Sequence, residues 1–130
     1  MRTHIAKHLF SVLSTDAGVS ALVGNNLYPV ATKVEKAFPL ILYERDTAVS
    51  RYSKDGNTLV EVEATVFVLT EDYTPGIELA EKVISALDGR TAVYAGDFAV
   101  LDCEHTGSVE GYQDGAFIQQ EKFKFIVKSN

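Results

Sequence analysis

At 130 residues, with 46% hydrophobic and 23% charged side chains, the chain has the make-up of one compact globular domain, which excludes global disorder. Twelve Lys and Arg against 18 Asp and Glu leave a formal charge of -6, the wrong sign for affinity to phosphate backbones, so no specific nucleic-acid binding is expected. One cysteine permits no internal disulfide and no apolar run nears the roughly 18 residues of a membrane span, so cytoplasmic synthesis without secretion or a membrane partner is expected.

Ile5, Leu9, Val12 and Leu13 predict an amphipathic helix over residues 3–13. Thr15 or Asp16 caps a second short helical turn carrying Val19, Leu22 and Val23, which Gly24 stops. Leu27-Tyr28-Pro29-Val30 reads as extended, since a residue before proline is pushed out of the α region, and the chain to Lys36 is expected to be irregular. Pro39 to Arg45 is dense enough in apolar residues for a central strand. The polar stretch Asp46 to Asn57 is expected to be a long loop or hairpin tip, turned at Gly56, of the kind that carries partner contacts. Thr58 to Thr70 alternates as a strand, with Val60, Val62, Ala64, Val66 and Val68 facing the core and Glu61, Glu63, Thr65, Phe67 and Leu69 facing away.

A second main helix opens at Thr74-Pro75-Gly76, with Thr74 as cap and Pro75 at the first helical position, where its missing N–H costs nothing. Ile77, Ala80, Val83, Ile84 and Leu87 form its buried stripe and Gly89-Arg90 ends it. Phe98 to His105 reads as a strand, Gly107 to Gly115 as a turn-rich connection, and Ala116 to Lys128 as a long strand with Phe117, Phe123, Phe125 and Val127 on one parity. The fold class is α+β: a single domain over residues 1–130, with a single mainly antiparallel β-sheet and two main α-helices packed on one face.

The chemical inventory is thin. His4 and His8 share a helix face at a metal-ligand spacing, but without a third ligand they read as solvated. Cys103 and His105 share a strand face with no third group to orient them, so Cys103 reads as an inert thiol. Glu61 and Glu63 are a carboxylate pair best placed on the wet sheet face, opposite Lys122 and Lys124. No P-loop, dinucleotide fingerprint or nucleophile elbow occurs, so no cofactor, no metal and no enzymatic activity are expected.

The segment Asp16-Ala17-Gly18-Val19-Ser20-Ala21-Leu22-Val23-Gly24, then Leu27-Tyr28-Pro29, Pro39-Leu40-Ile41 opening a strand, and the helix ending Ala86-Leu87-Asp88-Gly89 resemble the tail completion family of long-tailed bacteriophages, the tail terminator or tail-to-head joining proteins. The resemblance runs through nearly the whole chain, to the closing Phe125-Ile126-Val127. It implies a virion protein, made in the bacterial host cytoplasm, located at the head–tail junction. It also implies a homo-oligomeric ring, a hexamer, whose partners are the tail tube protein and the head–tail connector protein, and which ends tube polymerisation. Within that frame Arg45, Arg51, Tyr52, Lys54 and Asp55 are the expected interface residues. Glu61, Glu63 and Glu104 are the expected channel lining, where carboxylates would repel passing DNA. Two rival readings are a ferredoxin-like ligand-binding or sensor domain with a pocket lined by Tyr43, Phe67, Tyr94 and Phe123, and a thiol enzyme using Cys103 and His105.

Overall fold

In chain order the elements are α1 (Ile5–Thr15), α2 (Ala17–Val23), β1 (Leu27–Pro29), β2 (Leu40–Tyr52), β3 (Thr58–Thr70), α3 (Tyr73–Leu87), β4 (Ala92–Tyr94), β5 (Phe98–Gln113) and β6 (Ala116–Ser129). The structure, a computed structural model, describes residues 4–29, 38–52 and 58–129. The strands form one sheet in the order β1-β2-β3-β6-β5-β4. The class is α+β as expected, but the sheet is mixed and curls into a half-barrel, and it carries three helices rather than two on one face of an antiparallel sheet. β1 lies parallel to β2, while every other pairing is antiparallel.

Side-chain alternation sets the layers. The even residues Val60 to Val68 of β3 and Phe123, Phe125 and Val127 of β6 point to the helices, where with Ile5, Leu9, Leu13, Leu79, Val83 and Leu87 they form one buried core. The α2 entry follows the expected cap: the Asp16 carboxylate accepts from Val19 N–H at 3.0 Å, and Gly24, at φ 57°, ends the helix.

Four local expectations are corrected. First, Asp46 to Tyr52 is strand, because β2 stays paired with β3 as far as Tyr52↔Thr58; only residues 53–57, with the Gly56 turn, lie outside the described residues, as does the stretch 30–37. Second, Gly107 to Gln113 is also strand, paired with β6 down to a turn at Asp114-Gly115, both at positive φ. Its two glycines lower strand propensity without preventing the ladder. Third, α3 begins at Tyr73 with Asp72 as N-cap, so Thr74 is inside the first turn; the entry is fastened instead by Thr70, whose hydroxyl donates to the Asp72 carbonyl at 2.7 Å. Its buried stripe is Gly76, Leu79, Ala80, Val83, Ala86 and Leu87, with Ile77 and Ile84 at the margin. Finally, β4 is a short edge strand that the sequence pattern does not signal.

Bulges adjust the outer strands. The register shifts between Arg45 and Thr47, between Val100 and Asp102, and between His105 and Gly107. Tyr43 and Ala48 therefore both pair with inward residues of β3, and Val100 and Cys103 with the inward Val127 and Phe125 of β6, despite the change of parity along each strand.

Candidate functional site

Chemistry-bearing side chains fall in three places: the helix face near β4, the inward face of the β5–β6 hairpin, and the uncovered outward face of the sheet. At the first, His8 is a core residue, which corrects the expectation of a solvated ring. It has no exposed surface, packs edge-on against Phe125 and Tyr94, and its Nδ1 lies 2.7 Å from the Tyr94 hydroxyl. Its Nε2 is buried with no hydrogen-bond partner. Burial, with a smaller contribution from the Arg90 charge, lowers its pKa to about 4. The sequence did carry the signal, since residue 8 falls on the stripe of Ile5, Leu9 and Val12. His4 diverges from His8: its Nδ1 meets the Asp97 carboxylate at 2.6 Å near the surface, a contact that holds Asp97 below the usual carboxylate range. The two histidines share no ligand position, and no group of three or more His, Cys, Asp or Glu among the described residues is arranged to hold a metal.

At the second place, Glu121 is buried, with His105 Nε2 2.9 Å from its Oε2 and the Ser108 hydroxyl donating to the same oxygen at 2.5 Å. The residue types are those of a hydrolytic triad, but the geometry is not. A triad uses the two ring nitrogens separately, one toward the nucleophile and one toward the carboxylate. Here the one nitrogen Nε2 lies 2.9 Å from Glu121 and 3.4 Å from the Ser108 oxygen, and Ser108 donates its proton to the carboxylate, so the ring does not stand between hydroxyl and carboxylate as a triad requires. Cys103 is buried, and its thiol is pushed up to about 12 by burial first and then by Asp88 and Asp102. A thiol so far from ionisation is a packing residue, not a nucleophile. Glu121 lies on the parity of Phe123 and Phe125, a signal for burial that the reading of the strand overlooked.

The outward face is the most organised surface. Across β2, β3, β6 and β5 the register aligns Thr47, Glu63, Lys124 and Glu104 in one row. Lys124 Nζ sits 3.4 Å from Glu61 and 3.8 Å from Glu104, while Glu63 accepts from the Thr47 hydroxyl at 3.2 Å. Glu61 and Glu63 thus lie on one patch, as expected for a wet face, and Glu104 joins them there around Lys124, with Lys122 two residues along the same strand face. Next to it Glu44 is raised by burial and by its hydrogen bond and charge repulsion with Asp46, and Asp46 also accepts from the Thr65 hydroxyl at 2.5 Å. Toward the Asp114-Gly115 turn the same face carries more apolar residues, with Leu42, Phe67, Gln120 and Val109 aligned in one row.

The proposed interface residues are not gathered on a loop tip. Arg45 and Arg51 stand along β2, in register with Ala64 and Leu59, and Tyr52 ends that strand; Lys54 and Asp55 lie outside the described residues. The aromatics of the rival pocket are also separated. Tyr43 and Phe123 are buried toward the helices, Phe67 faces away from them, and Tyr94 belongs to the edge strand β4. The largest concavity among those described, about 440 Å³, is a depression beside α3 lined by Ile77, Glu78, Glu81, Lys82 and Ser85, without the apolar enclosure of a ligand site. Among the described residues no helix is long and apolar enough to cross a membrane.

Among the described residues the most organised chemistry lies on the outward sheet face. Residues 7–119 match the family described as Tail completion protein gp17, and the chain belongs to that family. Its fold is also similar to that of a chain in the solved structure titled "Virion of native gene transfer agent (GTA) particle", with a TM-score of 0.81 at 16% sequence identity, over 93% of this chain and 92% of that one. The comparison with curated proteins returns no match.

Proposed function

We propose that this protein is a structural component of a phage or prophage tail that forms a ring, a hexamer, at the head-proximal end of the tail tube. There it ends tube polymerisation and joins the tail to the head connector. The family match across residues 7–119 carries the reading. The similarity in fold to a chain of a phage-like virion supports it. The mechanism is surface complementarity: a ring seated on the last tube layer covers the face that another tube subunit would use, and no bond is made or broken. A closed ring requires a heterologous contact, in which one patch of each subunit meets a different patch of the next.

In this arrangement Arg45, Arg51, Tyr52, Lys54 and Asp55 serve subunit or tube contacts, and Glu61, Glu63 and Glu104 line the channel. Carboxylates there would repel DNA over about a Debye length, ~8 Å at physiological salt, and let the genome pass. The test is polymerisation of the tail tube protein with and without added chain. Tubes of defined, shortened length capped at one end are expected, and unlimited growth in the presence of saturating protein overturns the proposal. For the channel, Glu61→Gln, Glu63→Gln and Glu104→Gln together should slow DNA ejection; an unchanged ejection rate removes these residues from that role.

A further inference from the structure

Among the described residues the two long outer strands each leave most of one edge without a partner. β1 covers β2 only at Ile41, Leu42 and Tyr43, and β4 covers β5 only at Phe98, Ala99 and Val100. The end of α3 holds the β5 edge a little further: Gly89 N–H donates to the Cys103 carbonyl at 2.8 Å, and His105 N–H to the Asp88 carboxylate at 3.0 Å. Beyond these points no strand among the described residues pairs with the outer edge of Thr106 to Gln113 on β5, or with that of Glu44 to Tyr52 on β2. The two open edges are of nearly equal length, roughly 25–30 Å at ~3.3 Å per residue.

Open edges of this length invite pairing, and proteins that remain monomeric blunt them with charged side chains, proline, bulges or cover. Each segment has one bulge near its start, and charge is present as Glu44, Arg45, Asp46 and Arg51 on β2 and as Glu110 on β5, but neither contains a lysine or a proline. Instead β5 places Gly107 and Gly111 in the open stretch. A Cβ built on either meets nothing within 4 Å, and neither has a positive φ, so the subunit's own packing and backbone do not call for glycine there. Glycine weakens a strand, and in this position what it permits is the close approach of another backbone and its side chains.

Direction supplies the remaining constraint. β2 and β6 run one way and β3 and β5 the other. A copy related by rotation about an axis along the strands therefore presents its β2 edge antiparallel to the β5 edge of its neighbour, continuing the alternation of the sheet. We infer that adjacent copies of this chain join by antiparallel pairing of the β5 edge Thr106 to Gln113 with the β2 edge Glu44 to Tyr52. The contact is heterologous, as ring closure requires, and it makes Arg45, Arg51 and Tyr52 interface residues by their place on the edge. This inference rests on the ring proposed above and specifies how it closes.

The test uses single and paired cysteines at exposed positions, Val49→Cys or Thr47→Cys on β2 with Val109→Cys or Gly111→Cys on β5. Cys103 is buried and stays silent. Oligomers are formed at high protein concentration or on purified tail tubes of the same particle, then mildly oxidised. Paired variants should give a ladder of cross-linked species reaching the full ring, while single variants stay uncross-linked. Gly107→Lys with Gly111→Lys should not lower the melting temperature of the isolated subunit and should weaken self-association at least tenfold. Amide exchange should slow across 106–113 and 44–52 on assembly. A cross-linked dimer from a single β5 variant overturns the inference in favour of β5–β5 pairing. A ring seen by light scattering with neither ladder nor slowed exchange, or one unaffected by the lysines, overturns it while leaving the ring itself standing. A monomer both alone and on tubes overturns the ring and the edge pairing together.

Discussion

Acidification should unfold this protein through His8. The ring has no exposed surface and its pKa falls from 6.5 to about 4, chiefly through burial. Between those two values the unfolded chain binds a proton that the folded chain refuses, so stability is complete above pH 6.5 and declines as the pH falls toward 4. The separation of about 2.5 pH units, at 1.36 kcal/mol per unit, makes His8 responsible for about 3 kcal/mol lost across that window. Carboxylates such as Asp97, held low by its contact with His4, add their own loss at lower pH, so the measurement must be a difference. Urea unfolding at a series of pH values, for the natural chain and for His8→Phe, isolates the histidine. The phenyl ring keeps the edge-on packing against Phe125 and removes the titrating group. The stability of the natural chain relative to His8→Phe should fall by about 3 kcal/mol between pH 7 and the acid end of that window. Parallel curves, or a His8 pKa of 6 or above by NMR titration, would refute the reasoning.

Gly76→Ala should destabilise by about 1–3 kcal/mol, although alanine is the better helix former, because its Cβ would stand 2.7 Å from Thr70 Oγ1; a raised melting temperature would show that Thr70 yields freely. Glu121→Ala removes the shared acceptor of His105 and Ser108 and should cost about 2 kcal/mol in chemical denaturation. Cys103 should resist thiol reagents in the folded state at pH 8 and react on unfolding, given a pKa of about 12; labelling at the rate of a free thiol would contradict its burial.

How much of this was legible in the sequence differs from element to element. The valine face of β3 and the Asp16 cap could be read directly, because strict alternation and a capping carboxylate are local signals. The extent of β2 and β5 could not. Asp46 to Tyr52 and Gly107 to Gln113 are polar or glycine-containing and look like loops, yet each is held as strand by its ladder to a central neighbour. A ladder is a non-local interaction, and it overrides residue preference. His8 and Glu121 were misread or passed over for a different reason: their spacing placed them inside, and only their polarity argued otherwise. Of the expected site, the pairing of Glu61 with Glu63 on the outward face followed from strand parity, whereas Glu104, which shares the parity of the buried Phe98, reaches that face only through the bulge between Val100 and Asp102. The separation of Arg45 from Arg51 along an open edge depended on β2 being a strand.

The bulges in β2 and β5 have a bearing on how such a chain can change its length. Each adds one residue that the neighbouring strand does not match, so the pairs on either side of it follow one another without a gap on that neighbour, as Arg45 opposite Ala64 and Thr47 opposite Glu63 show. Deleting Asp46 alone would leave an unbroken ladder with Ala48 still inward, whereas deleting two neighbouring residues would bring Thr47 opposite Ala64 and reverse the rest of β2. A loss of one residue and a loss of two at these points are therefore unequal events: the first straightens the strand and the second acts as a switch of phase. The single extra residue between Tyr43 and Ala48 is slack that the ladder can give up without changing which face the outer half of β2 presents.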